Sequence, residues 1–72
     1  MKSDMQHYSM HIQWSEEDQV FIVTVPELPG CKTHGETYAK AVKQAQYAIE
    51  TWIDAHKALD LPIPQPRVTM SA

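Results

Sequence analysis

Residues 20–41 read VFIVTVPELPGCKTHGETYAKA, and they decide the fold. They hold an apolar strand, a loop punctuated by proline and glycine, a short second strand and a helix start. The first six, VFIVTV, form a near-continuous apolar run. Such a run suits a central strand, or one whose outer face meets another subunit. Phe21, Val23 and Val25 are expected to face the core, with Val20, Ile22 and Thr24 on the less buried side. Pro26 ends the ladder because it has no N–H to donate. In the loop Pro26-Glu27-Leu28-Pro29-Gly30, two prolines fix φ and Gly30 permits a positive φ. Leu28 is expected to pin this loop to the core. Residues 31–34 resume as a short strand, and Gly35 breaks it.

Downstream, Thr37 is the best helix N-cap in the chain. Glu36 beside it favours the positive helix end. The capping box is incomplete, because Lys40 stands where Glu or Gln would reach back. From residue 38 to about 57, Ala41, Val42, Ala45, Ala48, Ile49, Trp52, Ile53 and His56 recur at three- and four-residue steps, which predicts a helix. Its length of about 30 Å spans a three- or four-stranded sheet, and its alanines allow close approach. Tyr47 falls off the apolar stripe and is the better interface candidate; Trp52 falls on it and reads as core. After Asp60, Pro62, Pro64 and Pro66 enforce an extended path, with Leu61 and Ile63 free to tuck against the helix end. Residues 67–72 are expected to form a final edge strand or a flexible tail.

Upstream, residues 1–6 are polar and expected to fray. Residues 7–14 alternate, with Tyr8, Met10, Ile12 and Trp14 on one face, the signature of a half-buried strand. The turn SEEDQ at 15–19 links the two strand patterns as a hairpin. Glu16, Glu17 and Asp18 sit at its tip. They serve either as a solvated turn that repels edge-to-edge pairing or as an acidic contact for a basic partner.

Seventy-two residues make one small domain, residues 1–72, whose core is marginal alone. Cys31 is the only cysteine, so no intrachain disulfide can staple it, and self-association is the expected remedy. The net charge is −3, and the six Lys and Arg side chains are scattered. That argues against nucleic acid, which needs clustered cations. No run approaches the ~20 apolar residues of a membrane helix, and the N-terminus lacks an apolar signal core. A cytoplasmic location is expected.

Catalytic readings fare poorly. The two main strand patterns, residues 7–14 and 20–25, contain no acid, whereas a metal-dependent nuclease needs converging carboxylates. Cys31 and His34 form a CxxH pair, half a zinc site at most. Three residues apart on a strand, they point to opposite faces and make no dyad. His7 and His11 lie roughly 13 Å apart along a strand, too far to share a metal within one chain. No cofactor, metal site or catalytic residue is expected.

With these pieces placed, the sequence resembles the HicB-like antitoxin family over about residues 8–66. The resemblance rests on Val25-Pro26-Glu27-Leu28-Pro29-Gly30-Cys31, on the turn Gly35-Glu36-Thr37 with Ala41 following, and on the exit Ile63-Pro64-Gln65-Pro66. It implies a β-β-β-α-β fold, described as partial RNase H-like, and a homo-oligomer, dimer or tetramer. It also implies neutralisation of a small basic HicA-type RNA-cleaving toxin by direct binding. Many members add a C-terminal DNA-binding domain. This chain ends at Ala72 without room for one, so direct DNA binding is not expected.

The expectation is therefore an α+β domain, a small antiparallel sheet with one long helix on one face. It is a binding protein, not an enzyme, and occludes a basic toxin. The expected contacts are Glu16, Glu17, Asp18, Glu27, Leu28, Pro29, Gly30 and Glu36. The alternative is a solitary oligomeric binding domain with no toxin partner.

Overall fold

Apolar alternation on either side of a polar turn gives a hairpin. The computed structural model describes residues 7–69. In it, strand β1 is His11–Ser15 and strand β2 is Val20–Thr24. They pair antiparallel, with Ser15 opposite Val20 and His11 opposite Thr24. The four-residue turn closes through the Gln19 N–H, which donates to the Ser15 carbonyl at 2.8 Å. Strand β3, Lys32–Gly35, pairs antiparallel with the other side of β2, so the sheet order is β1-β2-β3. Helix α1, Tyr38–Ala58, packs on one face. The α+β architecture is the expected one, with the apolar strand β2 in the centre.

Both helix ends have local causes. Thr37 Oγ1 accepts the Lys40 N–H at 3.1 Å, which satisfies one of the first-turn donors. At the other end the Asp60 N–H donates to the Lys57 carbonyl and the Leu61 N–H to the His56 carbonyl. Asp60 is left-handed at φ 56°. That is a Schellman motif with aspartate in the place glycine usually takes.

The helix buries Ala41, Ala45, Ile49 and Ile53. The alanines meet Val23, with Met10, Ile12 and Phe21 packed around them. The isoleucines join Tyr8, Val25, Leu28 and Cys31, with Ile63 and Trp52 at the margin. Small residues thus line the end where the helix lies closest to the sheet. A β-carbon built on Gly35 would lie 2.4 Å from the Ala41 nitrogen, so only glycine lets the helix start there. Gly35 does not break β3; it is the last residue of the strand, under the first helical turn.

Two expectations need correction. Strand β1 starts at His11, not at residue 7, because the Ser9 N–H bonds the Glu27 carboxylate, at 3.1 Å to Oε2, and not a neighbouring strand. The strand expected after the helix is not formed among the described residues, and residues 61–69 run without ladder pairing. Of the two alternatives for residues 67–72, an edge strand or a flexible tail, the edge strand does not form at 67–69, where the Arg67 N–H goes to the Glu27 carboxylate. Upstream, Pro62, Pro64 and Pro66 keep residues 61–66 extended and outside the ladder. In an extended chain the N–H groups of alternate residues point to the same edge, so these prolines strip one edge of its donors. The expectations for residues 1–6 and 70–72 lie outside the described residues.

Candidate partner-binding surface

The sheet has two poles, roughly 17 Å apart along β2. At one, the loop of residues 25–31 is built as two consecutive turns. The Leu28 N–H donates to the Val25 carbonyl and the Cys31 N–H to the Leu28 carbonyl, both at 3.0 Å. Pro26 and Pro29 each occupy the second position of a turn, where no donor is needed. Gly30 follows Pro29 at φ 80°, the signature of a type II turn. The Val25 N–H closes the loop on the Cys31 carbonyl at 3.1 Å.

Three side chains lock this loop to the rest of the molecule. Leu28 is fully buried. The Trp52 indole donates to the Pro29 carbonyl at 3.0 Å, and its ring stacks on His56 at 3.5 Å. Glu27 is buried as well. Its carboxylate accepts from the Ser9 N–H, the Ser9 hydroxyl at 2.9 Å and the Arg67 N–H at 2.9 Å. One carboxylate thereby clasps both the segment before β1 and the tail after α1. Tyr8 adds a hydroxyl bond to the Pro64 carbonyl. Burial pushes the Glu27 carboxyl up, but the backbone bonds from Arg67 and Ser9 and the Ser9 hydroxyl outweigh it and hold it below its ordinary value.

At the other pole the side chains face outward. Glu16, Glu17 and Asp18 are exposed on the β1–β2 turn. Ser15 Oγ accepts the Asp18 N–H at 3.3 Å and donates to the Asp18 carboxylate at 3.2 Å. The Trp14 indole donates to Glu16 Oε1 at 2.9 Å. Trp14 packs edge-on against Phe21, with ring centres 5.0 Å apart, and Phe21 stacks with Tyr38 at 4.2 Å. Phe21 lies opposite Gly35 in the ladder, so the missing side chain leaves room for Tyr38 to lie over its ring. Glu36 is exposed beside the helix start, 3.5 Å from Lys40.

The expected contact residues therefore divide. Glu16, Glu17, Asp18 and Glu36 share the exposed turn pole. Pro29 and Gly30 are exposed at the clasp pole. Glu27 and Leu28, expected at a partner surface, have their side chains inside the fold, because a buried carboxylate needs partners and a leucine between two turns fills the core. Trp14, Phe21 and Tyr38 were not expected together. The only local signal was an aromatic at each of three separate element ends. Tyr47 is exposed on the helix, as its position off the stripe predicts.

Cys31 is buried, and burial pushes its thiol up, which suits an inert packing residue. His34 is exposed. Among the described residues, no group of three His, Cys, Asp or Glu side chains converges to hold a metal. No described helix is long and apolar enough to cross a membrane.

A three-stranded sheet with one helix, a locked signature loop and an acidic, aromatic end defines a small α+β domain with a surface suited to binding. Its sequence matches the HicB-like antitoxins of bacterial toxin–antitoxin systems over residues 8–71, and the chain belongs to that family. It is similar to the UPF0150 protein Ta0767 of Thermoplasma acidophilum, 38% identical over 50 residues, 69% of this chain and 72% of that one. A UPF0150 protein of Archaeoglobus fulgidus is 31% identical over 45 residues, 62% of this chain and 65% of the relative. No solved structure gives a significant match.

Proposed function

We propose that this chain is an antitoxin that binds a small basic HicA-type RNA-cleaving toxin and covers its RNA-binding face. Membership of the HicB-like family carries this reading, and the three exposed acids of the β1–β2 turn supply the complementary charge. The role is one of binding without catalysis, carried out in the cytoplasm by a homo-oligomer. Glu16, Glu17, Asp18 and Glu36 serve as contacts; Pro29 and Gly30 offer a second, less polar patch. Glu27 and Leu28 act through the fold alone.

Co-expression with the product of the small reading frame beside its gene tests the function. Rescue of host growth together with co-purification is the expected result. A harmless neighbour, or toxicity that persists with no complex, would end the antitoxin reading. Reversing Glu16, Glu17 and Asp18 to lysine should weaken the complex at least tenfold, and more at low salt than at high salt. Thermal stability should barely change, since exposed charges contribute little to it.

A further inference from the structure

We propose that the row Trp14–Phe21–Tyr38 is the docking surface for an arginine-bearing segment of a basic partner protein. The proposal rests on the antitoxin reading for the identity of that partner, and on the geometry alone for the chemistry.

The three rings come from β1, β2 and the first residue of α1 and form one continuous aromatic track. Core closure does not account for its ends, since Trp14 is 42% and Tyr38 65% exposed. Glu16 stands at one end, held against the Trp14 indole. Glu36, two residues before Tyr38, lies beside Lys40 and lines a separate depression with His34 and Lys43, so Glu16 is the carboxylate that the row offers. A guanidinium is the group that uses both features at once. Its flat face stacks on an aromatic ring, and its edge donates to a carboxylate in the same plane. An ammonium group takes the charge but cannot stack as a plate.

Among the described residues the one comparable pair, Tyr47 and Glu50 on the helix, offers a single ring with Lys43 beside it. The sheet face away from the helix presents His11, Lys32 and His34 around Ile22 and Thr24, with Asp18 at its edge but no aromatic ring to stack on. The shallow groove between β3 and α1, lined by Thr33, Gln44, Tyr47 and Thr51, has Lys32 at its edge and no acid.

The chain contains two tryptophans, which makes the test direct. The full 15N-labelled chain is titrated with a hexa-arginine peptide and, separately, with a hexalysine peptide. The Trp14 indole signal should shift with hexa-arginine, and hexalysine should bind at least threefold more weakly. The Trp52 indole, donated to the Pro29 carbonyl, should stay in place and report that the fold is intact. Trp14→Leu and Tyr38→Leu keep apolar bulk and remove the π face; together they should weaken hexa-arginine binding about fivefold. Equal binding of the two peptides, or binding untouched by the leucine pair, would reduce the surface to plain charge attraction and overturn the proposal. The leucine pair is also carried into the co-expression assay. Full rescue by it would sink the docking surface and leave the antitoxin reading standing. Arginine-selective binding to a chain with no toxic neighbour would do the reverse.

Discussion

Two residues decide how this small domain closes, and neither contributes an apolar side chain. Gly35 is where the helix meets the sheet. A methyl group there would strike the Ala41 backbone, which cannot swing aside as a side chain can. Gly35→Ala should therefore cost about 1–3 kcal/mol, read as a lower urea midpoint with an unchanged slope. Glu27 is where the chain's far segments meet. Its folded carboxyl sits below the ordinary value of 4.5, so its contribution is fully present above that value and is lost as pH falls through the lower, folded one. Glu27→Gln should lower stability at neutral pH by about 1–3 kcal/mol and flatten the fall in stability below pH 4.5. Equal acid sensitivity of the two proteins in a pH series of denaturant titrations would show that the clasp does not depend on charge. Nothing near Glu27 in the sequence advertised this role. Its partners lie 18 and 40 residues away, and an acid between two prolines reads naturally as a surface loop.

Elements with local causes were the legible ones. The apolar spacing located α1 to within a residue, since every turn of a helix repeats the same choice of face, and Thr37 marked its start through a bond only three residues long. The inward set of β2 followed from its own composition. The strand ends were harder to read, because tertiary bonds override alternation there: β1 loses residues 7–10 to the clasp, and the tail gives the Arg67 N–H to Glu27 and not to a ladder. The aromatic row was hidden for a related reason, since Trp14, Phe21 and Tyr38 become neighbours only once the hairpin and the helix are in register. The helix C-terminus yields a prediction of its own. Asp60 holds a left-handed conformation that glycine adopts without penalty. Asp60→Gly should stabilise the protein by a few tenths to about 1 kcal/mol, seen as a rise in thermal midpoint. A fall would mean that the Asp60 side chain does more than tolerate its place.

At the scale of the whole molecule, the fold divides its labour between its two ends. The loop that carries the family signature uses its carbonyls, its leucine and its acid to hold the chain together. The opposite end leaves its acids, Trp14 and Tyr38 outward, while Phe21 between them packs on the core. The clasp also couples parts of the chain that sequence keeps apart. Ser9 and Arg67 donate to the same carboxylate, so neither segment can lift away without loosening the other's anchor. In native-state hydrogen exchange, their two amides should therefore open as one unit, with matching opening free energies below those of the β2 amides. In Glu27→Gln both should shift by the same amount, while the amides of the central strand keep time with global unfolding. The segments around Ser9 and Arg67 would then breathe together at one end of the sheet.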